Sequence, residues 1–223
     1  MTPLTRRQMA WRVAQDIAEG QYVNLGIGLP TLVSDYVPGS REVVFHSENG
    51  ILGMGGAPRP GEEDRDLINA GKGLTTLRPG GAFFHHNDSF LMIRGGHIDL
   101  SIMGAYEVSA AGDLANWATN SDKLAPGVGG AMDLAAGAKE VRVLMEHNAK
   151  DGSPRLRKAC SLPLTAARCV KRVYTNLAVL DVTADGFVVR EMVEGLDLDA
   201  LQRLTEAELA LANDWRKLAP PAV

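Results

Sequence analysis

Glu48 is a candidate catalytic residue because it lies between a predicted strand and a predicted turn. The apolar run at residues 43–45 is typical of the end of a buried strand, and Asn49-Gly50 directly after Glu48 favours a sharp turn. A carboxylate held at the carboxyl end of a strand can serve as a base, a metal ligand or a covalent nucleophile. The alternative interpretation is an N-cap or a solvated loop charge, because many glutamates simply lie on the surface.

Two glycine motifs could act through their backbone. Residues 127–131, Gly-Val-Gly-Gly-Ala, open a predicted helix, so their free N–H groups could bind an oxyanion, although a tight turn with close helix packing would need the same glycines. Gly26-Ile27-Gly28 follows a predicted strand, but Thr31 occupies the place of the third glycine of a dinucleotide fingerprint. We therefore do not expect a nicotinamide site.

The histidines give a weaker signal. His85-His86 could form a patch that binds a carboxylate, but two adjacent histidines are also typical of a polar loop. The 5 histidines of the chain show no compact ligand spacing with cysteine or aspartate. The sequence therefore predicts no metal site.

The elements that must position these residues alternate between helix and strand. Apolar spacing predicts helices over residues 5–19, 131–137 and 198–215, with shorter ones ending near 36 and 93. Strands are predicted over residues 22–25, 42–46, 98–103, 141–146, 173–180 and 187–191, and loops over 55–61 and 79–81. This order predicts an α/β fold with a mostly parallel open sheet flanked by helices.

Composition is consistent with one α/β domain over residues 1–223, with a loose tail near 216–223. The hydrophobic share is 45%, the charged share is 22%, and the net charge of −4 comes without a long basic block, which argues against nucleic acid as a partner. Only 2 cysteines occur, so a disulfide is not expected and a reducing cytoplasm is the default. No apolar run is long enough to cross a bilayer, so no membrane association is expected.

Residues 47–55, Ser-Glu-Asn-Gly-Ile-Leu-Gly-Met-Gly, resemble the active-site motif of the B subunit of class I 3-oxoacid CoA-transferases. The resemblance extends in order over nearly the whole chain. Further matching segments are residues 22–31, 66–72, 88–90, 92–97, 112–117, 128–134 and 160–165.

The resemblance implies the CoA-transferase fold, which is related to that of sugar-phosphate isomerases. It implies that Glu48 is the covalent nucleophile and that the backbone amide of Gly129 stabilises the thioester carbonyl. The same motifs give Asn49, Gly50, Met54 and Gly130 as predicted contacts to substrate or CoA. No permanently bound cofactor is implied, because the CoA thioester is a substrate.

The segment at residues 81–90 looks like the 3-oxoadipate type of this family, which serves bacterial aromatic catabolism. In the acetoacetate type, small polar residues usually replace the two histidines. We therefore expect succinyl-CoA as donor and 3-oxoadipate as acceptor, with His85 and His86 donating hydrogen bonds to the far carboxylate. The alternative is the acetoacetate type.

A non-catalytic regulator that binds sugar phosphates is an alternative of a different class, because related folds occur among such proteins. Those proteins lack the Ser-Glu-Asn-Gly context, and no basic helix-turn-helix is visible in this chain. The chain resembles only the B half of the enzyme. The resemblance therefore implies that its partner is the A subunit, in a heterodimer or an A2B2 heterotetramer, with the active site at the boundary of the two polypeptides.

Overall fold

A large sheet organises the molecule. The computed structural model describes residues 1–119 and 127–221, and within them ten strands form one sheet and three form a second. The strands are β1 (Tyr22–Leu25), β2 (Val44–Ser47), β3 (Ile51–Met54), β4 (Leu77–Phe83), β5 (Leu100–Met103), β6 (Glu107–Ser109), β7 (Leu114–Ala115), β8 (Glu140–Leu144), β9 (Leu156–Arg157), β10 (Val170–Tyr174), β11 (Ala178–Thr183), β12 (Gly186–Val193) and β13 (Leu209–Leu218).

The helices are short. They are α1 (Arg6–Gln15), α2 (His86–Arg94), α3 (Ala131–Gly137) and α4 (Leu198–Arg203), and Leu29–Asp35 forms a 3-10 helix. Thr5 caps α1 in a reciprocal pair, because its hydroxyl accepts from the Gln8 N–H and the Gln8 side chain accepts from the Thr5 N–H. The apolar stripe of α1 around Met9 and Val13 is buried against the 3-10 helix and β8.

The centre of the large sheet is parallel. Its strand order is β13-β12-β11-β10-β8-β5-β1-β2-β3-β4, and the strands from β10 to β2 pair in parallel. All four residues of β5 are buried, as expected for a strand covered on both faces. Antiparallel strands extend both ends of this parallel centre. The predicted α/β fold with a mostly parallel open sheet flanked by helices is confirmed.

Three predicted elements are wrong. The loop predicted at 79–81 lies inside β4, which is an edge strand and can therefore accommodate Pro79 without losing a ladder hydrogen bond. The single strand predicted over 173–180 is two strands, because the Thr175 hydroxyl accepts from the N–H groups of Leu177 and Ala178 and closes a turn between them.

The helix predicted over 198–215 ends at Arg203. The Gln202 side chain donates to the carbonyls of Thr205 and Ala207, and the chain then continues as β13. Residues 216–218 of the predicted tail belong to β13, whereas residues 222 and 223 lie outside the described part of the chain. Among the described residues, no helix is long and apolar enough to cross a membrane.

Candidate active site

A cavity of about 470 Å³ lies at the carboxyl ends of the central strands. The ends of β1 and β5 contribute Leu25 and Met103 to its lining, and Glu48 directly follows β2. In open α/β sheets this end is where ligands bind, because several loops converge there over a rigid floor. Glu48 was predicted at the carboxyl end of a strand, and the cavity lies at that same end of the sheet.

The turn between β2 and β3 fixes Glu48. Gly50 has φ of +114°, and a Cβ atom there would collide with the carbonyl oxygen of Phe84, so only glycine fits. The Asn49 side chain donates to the Ile68 carbonyl at 2.8 Å, which ties the turn to a neighbouring loop. Asn49 and Gly50 thus hold the turn, and neither lines the cavity.

The Glu48 carboxylate is half-buried. Burial raises its pKa, the charge of His86 acts in the opposite direction, and the charge of Asp133 raises the pKa further. The carboxylate packs against Gly130, where an added Cβ would collide with Oε2 and would lie 3.1 Å from Cδ. That Cβ would also lie 2.9 Å from the ring of Phe90. Glu48 is therefore held in a narrow slot between α2 and the start of α3.

Gly129 and Gly130 line the same cavity. Gly129 has φ of +55°, and no atom of a described residue lies within 4 Å of where its Cβ would be. No described residue accepts a hydrogen bond from the N–H of either glycine. Two backbone donors that pair with no described residue thus lie in the turn against which the Glu48 carboxylate packs.

A buried polar chain runs behind Glu48. Asn24, which lines the cavity, donates from Nδ2 to the His46 carbonyl and to His46 Nδ1, the latter at 2.9 Å. Because a carbonyl can only accept, this orients the Asn24 amide and leaves His46 Nδ1 without a proton. His46 Nε2 then carries the proton and donates to Ser89 Oγ at 2.9 Å. Burial lowers the pKa of His46 to about 4, so its ring stays neutral at pH 7.

The other predicted contacts lie away from the cavity lining. His85 is exposed and caps α2, where its Nδ1 accepts from the Asn87 N–H. His86 is exposed too, donates from Nδ1 to the Glu48 carbonyl at 2.9 Å and packs edge-on against Phe90. Met54 is buried in the core, where β3 pairs with β4. Each of these three therefore supports an element near Glu48 without lining the cavity.

The coenzyme A transferase family matches residues 6–203 of this chain. The chain belongs to that family. It is 58% identical over 206 residues to the B subunit of the 3-oxoadipate CoA-transferase of Pseudomonas putida, covering 92% of this chain and 96% of the relative. It is 52% identical over 203 residues to the B subunit of the succinyl-CoA:3-ketoacid coenzyme A transferase of Helicobacter pylori, covering 91% of this chain and 97% of the relative.

A solved acyl-CoA transferase apoenzyme of Escherichia coli O157:H7 has the same fold, with a TM-score of 0.75 at 18% identity. The match covers 96% of this chain and 43% of that longer one, so the chain spans less than half of that protein. The predicted family, fold and CoA-transferase activity are confirmed.

Residues next to the strands of the second sheet form one wall of the transferase cavity, which the sequence did not predict. Asn116 and Trp117 follow β7, and hydrogen bonds to Thr165 and to the Leu164 carbonyl hold them. Arg155 enters the lining from the segment before β9. Residues 112–117 and 160–165 are among the segments that resemble the family. Nothing in their spacing indicated that they would form or support a wall of the cavity that contains Glu48. Among the described residues, no group of three or more metal-binding side chains could hold a metal ion.

Proposed function

We propose that this chain is the B subunit of a heteromeric enzyme that transfers CoA from succinyl-CoA to 3-oxoadipate. The main support is the Glu48 carboxylate, which lines the cavity and packs against Gly130. No described residue accepts a hydrogen bond from the N–H of Gly130 or of the neighbouring Gly129. Further support comes from the relative of Pseudomonas putida, which is named as the B subunit of a 3-oxoadipate CoA-transferase.

In the proposed reaction, Glu48 attacks the thioester carbonyl of succinyl-CoA. The C–S bond breaks, and a succinyl-glutamyl anhydride and CoA thiolate form. The thiolate then attacks the γ-carbonyl of Glu48, which releases succinate and leaves a glutamyl-CoA thioester. The carboxylate of 3-oxoadipate then attacks the glutamyl-CoA thioester, which forms a second anhydride and releases CoA thiolate. The thiolate attacks the 3-oxoadipyl carbonyl of this anhydride, so that 3-oxoadipyl-CoA and free Glu48 are formed. The free energy of the thioester is retained throughout.

The backbone turn at Gly129 would supply the electrostatic stabilisation. Each attack places negative charge on a carbonyl oxygen, and a fixed N–H donor there lowers the barrier because it needs no reorganisation. No described residue accepts from the N–H groups of Gly129 and Gly130, so both could act in this way. The neighbouring Phe90 ring would help to keep water from the anhydride and thioester, both of which hydrolyse readily.

The partner would be the A subunit, since the relatives at 58% and 52% identity are both named as B subunits. A heterodimer or an A2B2 heterotetramer would place the mouth of the cavity at the boundary of the two polypeptides. We expect the assembly to function in the cytoplasm.

Transfer to acetoacetate is the second candidate. It is favoured by the relative of Helicobacter pylori, which is named a succinyl-CoA:3-ketoacid coenzyme A transferase. The two candidates are distinguished by the ratio of kcat/KM for 3-oxoadipate and acetoacetate, measured on the enzyme co-expressed with its A subunit.

The nucleophile is tested by mass spectrometry. The co-expressed enzyme is incubated with succinyl-CoA without acceptor, and the peptide containing Glu48 is expected to gain the mass of a CoA thioester. Glu48→Gln should abolish the adduct and lower transferase activity on the order of 10³-fold or more. Asp88→Asn, which neutralises an exposed carboxylate on α2, is the control and should leave the adduct in place. A Glu48→Gln enzyme with normal activity would refute the proposal.

A further inference from the structure

The cavity contains an arginine that the proposed mechanism does not use. Among the described residues that line it, Glu48 is the only carboxylate and Arg155 is the only cation. Arg155 is half-buried, and the proposed reaction at Glu48 gives it no role. A cation in such a position is a candidate for binding an anionic group of the substrate.

The side chain of Arg155 is the part that remains for a ligand in the cavity, because both of its backbone groups are already used. Its N–H donates to the His147 carbonyl, and its carbonyl accepts from the Val108 N–H of β6. The residues on either side, Pro154 and Leu156, do not line the cavity. Leu156 is fully buried in the core instead.

The Arg155 guanidinium is unpaired within the part of the chain that the structure describes. No described residue forms a hydrogen bond or an ion pair with it, whereas Arg157, two residues later, pairs with Glu107 and Glu206. Asp151 is exposed, and its pKa is lowered mainly by hydrogen bonds from Ser153 and only last by the charge of Arg155. The donors of Arg155 are thus available to a ligand.

Arg155 and Glu48 reach the cavity from different elements, because Arg155 precedes β9 and Glu48 follows β2. Among the described residues, no hydrogen bond or ion pair joins the two side chains. A dicarboxylic acyl group needs such a separation. Its thioester carbonyl must reach Glu48, while its second carboxylate must avoid the negative charge of that same residue.

We propose that Arg155 binds the non-reacting carboxylate of the dicarboxylic substrate and thereby selects dicarboxylic over monocarboxylic acyl groups. This inference rests on the proposed function, in which both the donor and the acceptor carry a second carboxylate. A guanidinium matches a carboxylate with two parallel hydrogen bonds, which fixes the direction of the acyl chain as well as its affinity. The exposed His85 and His86 lie outside the cavity and are not needed for this contact.

The test compares two donors that differ only in the second carboxylate. Each donor, succinyl-CoA or butyryl-CoA, is mixed separately with the co-expressed enzyme under single-turnover conditions. The rate of CoA adduct formation on Glu48 is measured for each. Arg155→Met is expected to slow the reaction of succinyl-CoA by about 10- to 100-fold and to leave that of butyryl-CoA unchanged. Arg155→Lys should recover part of the loss, because it restores the charge without the planar fork.

Lys158→Met is the matched control, since it removes an exposed cation of the same segment that does not line the cavity. It should change neither rate. If Arg155→Met slowed both donors equally, Arg155 would contact CoA or support the fold, and the inference would be overturned. If it slowed neither donor, Arg155 would have no role in binding, which would also overturn the inference.

Calorimetry with succinate provides a readout that needs no chemistry. Arg155→Met should weaken succinate binding by about 10- to 100-fold, and Lys158→Met should leave it unchanged. Wild-type enzyme that forms no adduct with either donor would refute the proposed function. Succinate binding that does not depend on Arg155 would refute the inference alone.

Discussion

Glu48 must satisfy two opposing requirements. As a nucleophile it has to be ionised at working pH, whereas a half-buried carboxylate resists ionisation, so its pKa is raised. The charge of His86 counteracts the effect of burial, and that of Asp133 adds to it. The acidic limit of activity therefore depends on the balance of charge around one side chain.

Asp133→Asn should extend activity to lower pH. Removing this negative charge removes one cause of the raised pKa, so Glu48 stays ionised further into the acid range. The acidic limb of the profile of kcat/KM against pH is expected to move down, and the plateau at neutral pH should stay the same. Asp88→Asn is the control, because Asp88 is not among the charges that act on Glu48. A limb that shifts equally in both variants, or upward in Asp133→Asn, would contradict this account.

Local spacing marks Glu48, Gly129 and Gly130 as candidates, through an apolar run before a turn and glycines before a helix, and the family resemblance assigns their roles. Asn24 and Arg155 carry no such mark. Asn24 lies 22 residues from its partner His46, and only the parallel pairing of β1 with β2 brings the two together. Contacts that arise from strand order cannot be read from local pattern.

At the scale of elements, the site depends on how closely α3 approaches the β2–β3 turn. The first residue before α3 is Gly130, and its missing side chain provides the space in which the Glu48 carboxylate lies. The sequence predicted α3 with its observed bounds, 131–137, because its apolar spacing is clear. Apolar spacing could not show that the start of α3 packs against Glu48, because the two are distant in the sequence.

Gly130→Ala should lower transferase activity by about 100-fold while the protein stays folded. The new methyl group would collide with the Glu48 carboxylate and crowd Phe90, so the nucleophile has to move. Gly127→Ala provides the matched control, because it adds the same methyl group three residues earlier, where no atom of a described residue lies within 4 Å. Activity and thermal melting of both variants are measured on the enzyme co-expressed with its partner. Equal activity in the two variants would show that the slot around Glu48 is not tight.

At the scale of the whole molecule, a buried ion pair joins the two ends of the chain. Arg12 of α1 donates to both carboxylate oxygens of Glu191 in β12, at 2.7 Å each, and both side chains are less than 10% exposed. Hydrogen bonds from Arg12 and Arg216 help to lower the pKa of Glu191, against the effect of burial. The failed prediction of a helix over 198–215 belongs to this region, where pairing of β13 with β12 outweighs local helical spacing.

Arg12→Met should destabilise the fold by about 3 kcal/mol, because it leaves a buried carboxylate without its main partner. Replacing both residues, Arg12→Met with Glu191→Met, should recover most of this loss. Urea denaturation followed by circular dichroism gives the free energies of unfolding. Lys217→Met breaks the exposed pair with Glu194 and should cost less than about 1 kcal/mol. A double variant as unstable as Arg12→Met would show that packing, rather than charge, determines the loss.

The ion pair between Arg12 and Glu191 also bears on how the protein is made. The two residues are 179 positions apart, so a ribosome that adds about 5–20 residues per second needs roughly 10–40 s to deliver the partner of the first helix. The 3-10 helix and β8, which cover Met9 and Val13, are synthesised well before that. The apolar face of α1 can therefore be buried before its charged side chain meets Glu191, and the ion pair closes only after β12 has left the ribosome.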